Sequence, residues 1–181
     1  MTIFIIGGVK SRKSDYAQQL ALRLAGAQPH FYIATMLPHD EEDYARIRSH
    51  LARRAGMGFQ TLEWGRHLLE NLAASGLDGT FLLDSATALL SNELFPPERD
   101  YAPDEGAAAR CVRDLSSFVE RVRNAVIVCD DIFSDAGRYD AITELYRRYL
   151  GEICQQMGAR CDTVVEMLSG YPIIRKGRLP E

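Results

Sequence analysis

The sequence lacks the features that are typical of zinc-binding, disulfide-rich and nucleic-acid-binding proteins. Its four cysteines are scattered without a Cys-x-x-Cys pair, and no histidine stands at metal-ligand spacing. A zinc site or a disulfide framework is therefore not expected, and reduced thiols in the cytoplasm fit the pattern best. The net charge is -4, so we expect no general nucleic-acid-binding surface, and any anion site must be local.

Targeting and membrane segments are missing as well. Met1 leads directly into a short apolar run with no basic region before it, which is not the pattern of a signal peptide. No apolar run approaches the roughly 20 residues that a membrane span needs. With 46% apolar and 25% charged residues among 181, the composition is that of one globular cytoplasmic domain. The chain shows no linker and no internal repeat.

Short apolar runs alternate with longer helical patterns along the chain, and these predict its secondary structure. Strands are expected at 2–6, 30–35, 58–64, 79–84 and 125–131, and helices at 13–26, 40–54, 65–76, 85–95, 104–124 and 138–157, with a surface loop at 98–103. Two strand-like runs around Gly170 and Pro172 predict a C-terminal antiparallel hairpin. Strands separated by helices indicate a mostly parallel sheet covered on both faces, so we predict a single α/β domain over 1–181.

The segment "GGVKSRKS" at 7–14 lies between the first predicted strand and the first helix. In a phosphate-binding loop, backbone N–H groups wrap a polyphosphate at a helix N-terminus, a lysine reaches the outer phosphates and a Ser/Thr hydroxyl binds Mg²⁺. Lys13 and Ser14 fit the last two roles, while Arg12 replaces the second glycine of the pattern G-x-x-x-x-G-K-[ST]. That glycine permits a backbone geometry and a close phosphate approach that a Cβ obstructs. The predicted nucleotide-binding residues here are Gly7, Gly8, Val9, Lys10, Ser11, Arg12, Lys13 and Ser14.

A plain strand-to-helix turn with a basic helix start is the alternative for this segment. Three cations near a helix N-terminus, Lys10, Arg12 and Lys13, oppose the helix dipole unless an anion is bound. The position after the first strand of an α/β chain also favours the phosphate loop. We therefore predict a P-loop NTPase-like (RecA-like) three-layer sandwich that binds ATP or GTP.

Carboxylates end two of the other predicted strands, where a metal site beside bound phosphates needs them. Asp84 follows "FLL" and either caps the next helix or binds Mg²⁺. Asp130 and Asp131 follow "VIVC". Because adjacent residues of a strand point to opposite sides, only one of these two acids can face the site. The predicted metal ligands are Ser14 and Asp84.

Further motifs resemble, in order along the chain, those of one family. They are the loop at 7–14, Tyr32-Ile33-Ala34-Thr35, Asp40-Glu41-Glu42, "RIRSHLARR" at 46–54, "LLDSAT" at 82–87 with Ser91-Asn92, and Ser169-Gly170-Tyr171-Pro172 followed by Lys176. This set resembles the bifunctional adenosylcobinamide kinase/adenosylcobinamide-phosphate guanylyltransferase family of cobalamin biosynthesis, whose loop reads G-G-x-R-S-G-K-S. The resemblance extends over nearly the whole chain.

The resemblance implies two reactions. The family phosphorylates the terminal hydroxyl of the aminopropanol arm of adenosylcobinamide, a corrinoid, with a nucleoside triphosphate. It then transfers GMP from GTP to that phosphate through a guanylylated histidine, whose position His50 matches. A neutral imidazole can attack the α-phosphorus while pyrophosphate leaves with Mg²⁺ assistance. The family also forms homotrimers, so the same assembly is expected here. The implied catalytic residues are His50 and Lys13, and Thr35, Arg53, Arg54 and Asp84 join the implied nucleotide site; His30, His39 and His67 match nothing.

Several differences from the family keep other interpretations open. Besides Arg12, the family's Asn-Glu pair is replaced by Asp130-Asp131, and "IFSDAGRY" stands where the family has a glycine-rich segment. The alternative is a divergent homologue that retains only nucleotide binding or one half-reaction, as a sensor or interaction module. An unrelated small-molecule kinase would not explain His50, and the choice between ATP and GTP as phosphoryl donor is open.

Overall fold

The protein, described by a computed structural model, follows the predicted alternation of strands and helices. The structure describes residues 1–38, 40–135 and 137–180, apart from the side chain of Arg53. The strands are β1 (Thr2–Gly7), β2 (His30–Ala34), β3 (Gln60–Glu63), β4 (Thr80–Asp84), β5 (Asn124–Asp130), β6 (Thr163–Leu168) and β7 (Tyr171–Lys176). The helices are α1 (Lys13–Ala25), α2 (Glu41–Arg54), α3 (Leu68–Ser75), α4 (Ala86–Leu94), α5 (Glu105–Arg121) and α6 (Ala141–Arg160).

A few boundaries differ from the sequence-based expectation. Helix α6 begins at 141 rather than 138 because Asp140 caps it: one carboxylate oxygen accepts hydrogen bonds from the amides of Ile142 and Thr143, both at 2.9 Å. The same helix continues beyond 157, to Arg160. A short 3-10 helix, Pro97–Arg99, overlaps the loop expected at 98–103.

The seven strands form one sheet in the order β3-β2-β4-β5-β1-β6-β7. Neighbouring strands pair in parallel except β6 and β7, which are antiparallel. The mostly parallel sheet and the C-terminal hairpin are therefore confirmed. Parallel pairing places the C-terminal ends of β1, β2, β4 and β5 at one edge of the sheet, which is the edge where ligands bind in open α/β folds.

Alternate residues of the central strands enter two hydrophobic clusters on opposite faces of the sheet. In β1, Ile3 and Ile5 pack in the cluster that contains residues of α1, whereas Phe4 packs in the cluster that contains residues of α3, α4, α5 and α6. In β4, Leu82 belongs to the first cluster and Phe81 to the second. Helices therefore cover both faces, as the predicted three-layer sandwich requires.

Helix α2 is unusually polar and exposed. Its N-cap is Asp40, whose carboxylate accepts a hydrogen bond from the Asp43 amide at 2.9 Å. Among the side chains of α2 that the structure describes, only Arg54 is buried, and the apolar side chains of Tyr44 and Leu51 are exposed. Neither α2 nor any other helix in the described ranges is long and apolar enough to cross a membrane.

Candidate active site

The loop between β1 and α1 turns through two residues in the left-handed region. Lys10 has a φ of 60° and Arg12 a φ of 66°, a conformation that costs a residue with a Cβ roughly 1–2 kcal/mol. The turn brings the Ser11 amide within 3.3 Å of the Gly8 carbonyl oxygen, to which it donates. Arg12 therefore adopts the kind of backbone conformation that suits the motif's glycine.

Close packing against β6 explains Gly7, the last residue of β1. A Cβ at Gly7 would lie 2.6 Å from the carbonyl oxygen of Met167 and 3.0 Å from the Ser11 Oγ. At Gly8, by contrast, an added Cβ would have no neighbour within 4 Å. Packing within the chain thus requires glycine at position 7 and does not require it at position 8.

Helix α1 begins without a side-chain cap. Arg12 stands at its N-cap position and makes no capping hydrogen bond, and α3 also lacks a side-chain cap. The other helices, α2, α4, α5 and α6, are capped by Asp40, Ser85, Asp104 and Asp140. The first-turn amides of a helix have no acceptor within that helix, and they carry the positive end of its dipole. The start of α1 therefore presents N–H groups suited to an anion.

Lys13 is the cation that the loop holds inside the protein. Its side chain is 7% exposed, and Nζ lies 2.8 Å from Asp130 Oδ1 and donates a 2.8 Å hydrogen bond to the Gly8 carbonyl oxygen. The Asp131 carboxylate instead accepts hydrogen bonds from the Phe133 amide and the Ser134 hydroxyl. Only one of the two adjacent acids faces the loop, as the strand pattern predicted, and it is Asp130.

The remaining cations of the loop lie at its surface. The Arg12 side chain is 72% exposed, and its Nε lies 3.6 Å from an Asp15 carboxylate oxygen. Lys10 and Val9 are exposed, and Ser14 is half-buried in the first turn of α1. Lys10 and Arg12 therefore form a basic rim around the loop.

Asp84 ends β4 at the same edge of the sheet. It is followed by Ser85, whose side chain accepts a hydrogen bond from the Ala88 amide at 3.3 Å and caps α4. The interpretation of Asp84 as the helix cap is therefore wrong, because the strand ends one residue before the cap. The half-buried Asp84 carboxylate accepts a 2.8 Å hydrogen bond from the Tyr32 hydroxyl. Strand β4 lies two positions from β1, roughly 10 Å across the sheet.

Thr35 ties the end of β2 to the start of α4. Thr35 is fully buried. Its hydroxyl donates a hydrogen bond to the Ser85 carbonyl oxygen at 2.9 Å and accepts one from the Ser85 amide at 2.6 Å. The Asn92 side-chain amide donates to the carbonyl oxygens of Thr35 and Gly65, at 2.7 and 2.8 Å. These contacts position the backbone that carries Asp84, and direct nucleotide binding by Thr35 stays a prediction.

Arg54 is linked to Asp84 through an aromatic ring. Its guanidinium carbon lies 3.5 Å from the centroid of the Tyr32 ring, and its Nη2 donates to the Thr61 hydroxyl at 3.4 Å. The Arg54 Nε is buried with no hydrogen-bond partner among the described residues. Burial raises the pKa of the Tyr32 phenol far above its usual value, and the Asp84 carboxylate adds to this effect, so the phenol stays a hydrogen-bond donor.

His50 lies apart from the loop. It is a half-buried residue of α2, one helical turn before Arg54, so the two side chains share a face of the helix. Neither ring nitrogen of His50 has a hydrogen-bond partner within the described ranges. Helix α2 follows β2, which is three positions from β1 in the sheet, so the structure does not bring His50 to Lys13 within one chain. The side chain of Arg53 and all of His39 lie outside the described residues.

Two residues of this site were not predicted as such. Asp130 is distinguished from Asp131 by register, because Asp130 pairs with Gly7 in the β1–β5 ladder, and register between distant strands cannot be read from one sequence. Tyr32 belongs to a motif shared with the family, but no role was assigned to it from the sequence. Its ring contacts Arg54 and its hydroxyl donates to Asp84, so Tyr32 links the two residues.

Oxygen donors of the kind that Mg²⁺ uses lie at this edge of the sheet. In the described part of the chain, no group of three or more His, Cys, Asp or Glu side chains could hold a metal ion. Mg²⁺ commonly binds through one or two protein oxygens together with substrate phosphates. The Ser14 hydroxyl at the start of α1 and the Asp84 carboxylate at the end of β4 are oxygen donors of this kind.

Known proteins share both the sequence pattern and the fold. The family model for cobinamide kinase / cobinamide phosphate guanyltransferase matches residues 3–174. No curated protein matches the sequence. One solved structure, of an ATPase domain, is similar over 98% of this chain and 77% of that chain, with a TM-score of 0.56 and 11% identity. A KaiC-like protein from the hyperthermophilic archaeon Pyrococcus horikoshii OT3 is similar over 98% and 80%, with a TM-score of 0.50 and 12% identity.

At these identities the solved structures show the fold alone, and they confirm the P-loop, RecA-like class. The family match is of a different kind, because it covers nearly the whole sequence. It includes the loop with Lys13, the helix with His50 and the strand that ends in Asp84. The chain therefore belongs to the cobinamide kinase / cobinamide phosphate guanyltransferase family.

Proposed function

We propose that the protein carries out both reactions of its family: it phosphorylates adenosylcobinamide with a nucleoside triphosphate and then transfers GMP from GTP to the adenosylcobinamide phosphate. The observation that carries this proposal is the buried Lys13, held by Asp130 and the Gly8 carbonyl at the uncapped start of α1. A lysine and free helix amides at one point form a site for a polyphosphate.

Nucleotide binding exchanges the partners of Lys13. The outer phosphates replace the Gly8 carbonyl and the Asp130 carboxylate at Nζ, while the first-turn amides of α1 donate to the phosphate oxygens. The rim residues Lys10 and Arg12 add positive charge from outside. When bound, Mg²⁺ neutralises phosphate charge and assists the leaving group, and Ser14 and Asp84 are the residues that would hold it.

Phosphoryl transfer then takes place at the end of β1. The hydroxyl oxygen of the aminopropanol arm forms a bond to the γ-phosphorus, the bond from that phosphorus to the bridging oxygen breaks, and the nucleoside diphosphate leaves. Asp130, once Lys13 turns to the phosphates, is a carboxylate beside the loop that can accept the hydroxyl proton. Lys13 stabilises the charge on the transferred group.

Guanylyl transfer uses His50. A ring nitrogen of His50 forms a P–N bond to the α-phosphorus of GTP, and the P–O bond to pyrophosphate breaks. A phosphate oxygen of adenosylcobinamide phosphate then displaces the histidine and receives GMP. The absence of a hydrogen-bond partner for His50 among the described residues leaves its lone pair available in the neutral tautomers. Arg54 shares its helix face and supplies positive charge near the phosphates.

We also propose the homotrimer that the resemblance implies. The support is the exposed apolar surface of α2, where Tyr44 is 49% and Leu51 is 48% exposed. Light scattering after gel filtration should give three times the mass of one chain, and Leu51→Glu should shift it to the mass of a monomer. Ile142→Glu, at an equally exposed position on α6, should leave the trimer intact. A monomeric wild-type protein would contradict this proposal.

A divergent homologue with one half-reaction is the second candidate. The observation that favours it is the separation of the two sites, since His50 follows a strand three positions from the loop. Phosphoryl transfer at Lys13 does not require His50, so one reaction can be lost while the other remains.

Labelling of the protein with GTP carrying a labelled α-phosphate tests the proposal. In the presence of Mg²⁺, the label should attach covalently, be lost in acid and survive alkali, as expected of a phosphoramidate. The label should be absent in His50→Ala. The matched control is His67→Ala, because His67 is also a partly exposed histidine on the surface. A protein that binds GTP but takes up no label would favour the second candidate.

A further inference from the structure

Two of the four free cysteines face each other behind the loop. Cys129 lies in β5, in register with Ile6 of β1, and Cys154 lies in α6. Their Sγ atoms are 3.8 Å apart. Cys129 is fully buried, whereas Cys154 is half-buried. Cys154 is therefore the more accessible of the two residues, and its sulfur has a second thiol within contact distance.

The sulfur of Cys129 is linked to Asp130, the residue that forms the ion pair with Lys13. Cys129 directly precedes Asp130, and its Sγ lies 3.6 Å from the Asp130 carbonyl oxygen. The Thr87 hydroxyl donates to Cys129 Sγ at 3.8 Å and accepts a hydrogen bond from the Asp130 amide at 2.8 Å. The Thr87 hydroxyl therefore joins the sulfur to the backbone of Asp130. A displacement of the Cys129 side chain must disturb the end of β5 where Asp130 contacts Lys13.

Of the two thiols, that of Cys154 is the one expected to react with an oxidant. The hydrogen bond with Cys129 lowers the pKa of the Cys154 thiol, because a thiolate there accepts this bond. The same bond, together with burial, raises the pKa of Cys129. A cysteine that is both more acidic and more accessible is the one that oxidants attack first.

We propose that Cys129 and Cys154 form an oxidation site for hydroperoxides, and that their disulfide weakens nucleotide binding at the loop. The Cys154 thiolate attacks the terminal oxygen of the hydroperoxide, so that an S–O bond forms, the O–O bond breaks and an alcohol, or water from hydrogen peroxide, leaves after protonation. The sulfur of Cys129 then attacks the Cys154 sulfenic acid. The S–S bond forms, the S–O bond breaks, and the thiol proton leaves with the hydroxide as water. Two thiols are oxidised by two electrons, and one hydroperoxide is reduced.

The disulfide changes the loop through strand β5. The two sulfur atoms must approach from 3.8 Å to about 2 Å, which draws the Cys129 side chain toward α6 and away from Thr87. The Asp130 backbone loses the support of the Thr87 hydroxyl, and its carboxylate moves relative to Lys13. We expect nucleotide affinity to fall roughly five- to tenfold, at the lower end of typical coupling between two sites. This inference rests on the proposed nucleotide site at the loop.

The test uses the full chain before and after treatment with hydrogen peroxide. Intact mass should fall by two hydrogen atoms, and peptide mapping should join the Cys129 and Cys154 peptides. The dissociation constant of a fluorescent GTP analogue should rise roughly five- to tenfold and return to its first value after dithiothreitol. Reduced Cys154→Ala should bind the analogue like the reduced wild type and should not respond to peroxide. Cys111→Ala, the same change at a buried cysteine of α5, should keep the full response.

Different failures overturn different statements. A disulfide that forms without changing the affinity would overturn the coupling, and peroxide that produces no Cys129–Cys154 bond would overturn the oxidation site. In both cases nucleotide binding by the reduced protein would leave the proposed function standing. Failure of the reduced protein to bind any nucleotide would overturn the proposed function and the coupling together.

Discussion

Lys13 is buried against Asp130, with 2.8 Å between Nζ and Oδ1, and this ion pair joins the start of α1 to the end of β5. The Lys13 side chain is 7% exposed and that of Asp130 is 30% exposed, so the lysine depends on its partner more than the aspartate does. A nucleotide can displace Asp130 only by offering equivalent negative charge. If nucleotide binds as proposed, the pair therefore links the stability of the fold to nucleotide binding.

We expect Asp130→Asn to destabilise the unliganded protein and to make it more dependent on nucleotide. The amide leaves Lys13 buried without a counter-charge, which should lower the free energy of unfolding by about 1–3 kcal/mol. A bound triphosphate restores the missing charge. The gain in melting temperature on adding Mg²⁺ and GTP should therefore be larger in the variant than in the wild type, as measured by calorimetry.

Asp131→Asn is the matched control for this change, because Asp131 faces Phe133 and Ser134 instead of Lys13. Its loss of stability should not be reversed by nucleotide. If the two variants respond equally to GTP, the ion pair with Lys13 does not have the role described.

Arg12→Gly should stabilise the protein. Arg12 has a φ of 66°, and glycine removes a backbone cost of roughly 1–2 kcal/mol, offset in part by about 0.4–1 kcal/mol from the greater freedom of glycine in the unfolded chain. The exposed ion pair with Asp15 adds little. Urea denaturation should show a gain of about 0.5–1 kcal/mol. Arg12→Ala removes the guanidinium but keeps the Cβ, so equal stability of the Gly and Ala variants would contradict the strain at this position.

Arg12 also illustrates how far the fold could be predicted from sequence. Strands such as β1 and β4 are continuous apolar runs, and the helices between them have clear periodicity, so element types follow from local pattern. The exchange of glycine for arginine was visible in the sequence. The left-handed geometry that Arg12 nevertheless adopts was not, because the surrounding structure imposes it.

The candidate site was predictable where it depends on neighbours in sequence. Lys13 and Ser14 are the first residues of α1, and the strand-loop-helix pattern of the sequence places them at the end of the loop. The contacts of Tyr32 with Asp84 and of Lys13 with Asp130 depend instead on strand order and register. Those are settled by packing across the whole sheet, and a single sequence carries no local signal for them.

The Tyr32 phenol should make stability decrease above pH 10. Burial raises its pKa well above the usual 10.0, so in this range the unfolded chain loses the proton while the folded protein retains it. The unfolded state is then favoured as the pH rises, and between pH 10 and pH 11 this one group should remove roughly 1 kcal/mol. Tyr32→Phe should lose less stability than the wild type over this interval in urea denaturation.

A substitution at an exposed tyrosine is the control for this decrease in stability with pH. Tyr171 is 75% exposed at the start of β7, and Tyr171→Phe should follow the wild-type decrease with pH. Other groups that titrate in this range are present in all three proteins, so the difference between them isolates Tyr32. A Tyr32→Phe variant with the full wild-type slope would contradict the buried, protonated phenol.

Substitutions of Gly7 and Gly8 by alanine should have different effects, the first on the stability of the fold and the second on nucleotide binding. At Gly7 a Cβ would lie 2.6 Å from the Met167 carbonyl oxygen, so Gly7→Ala should force β1 and β6 apart and cost about 1–3 kcal/mol of stability. At Gly8 a Cβ would meet nothing within 4 Å, so Gly8→Ala should change stability by less than about 0.5 kcal/mol.

The Gly8 variant should nevertheless bind nucleotide about tenfold more weakly, since a methyl group on the exposed loop obstructs the approach of phosphate to the backbone amides. Titration with a fluorescent GTP analogue measures this loss, and circular dichroism melting confirms that the fold is unchanged. Gly158→Ala is the matched control, because a Cβ at this position of α6 also meets nothing within 4 Å, and it should not alter the affinity. Unchanged binding by Gly8→Ala would mean that phosphates do not approach this part of the loop, whereas weakened binding in a fully stable variant assigns Gly8 to the ligand rather than to the fold.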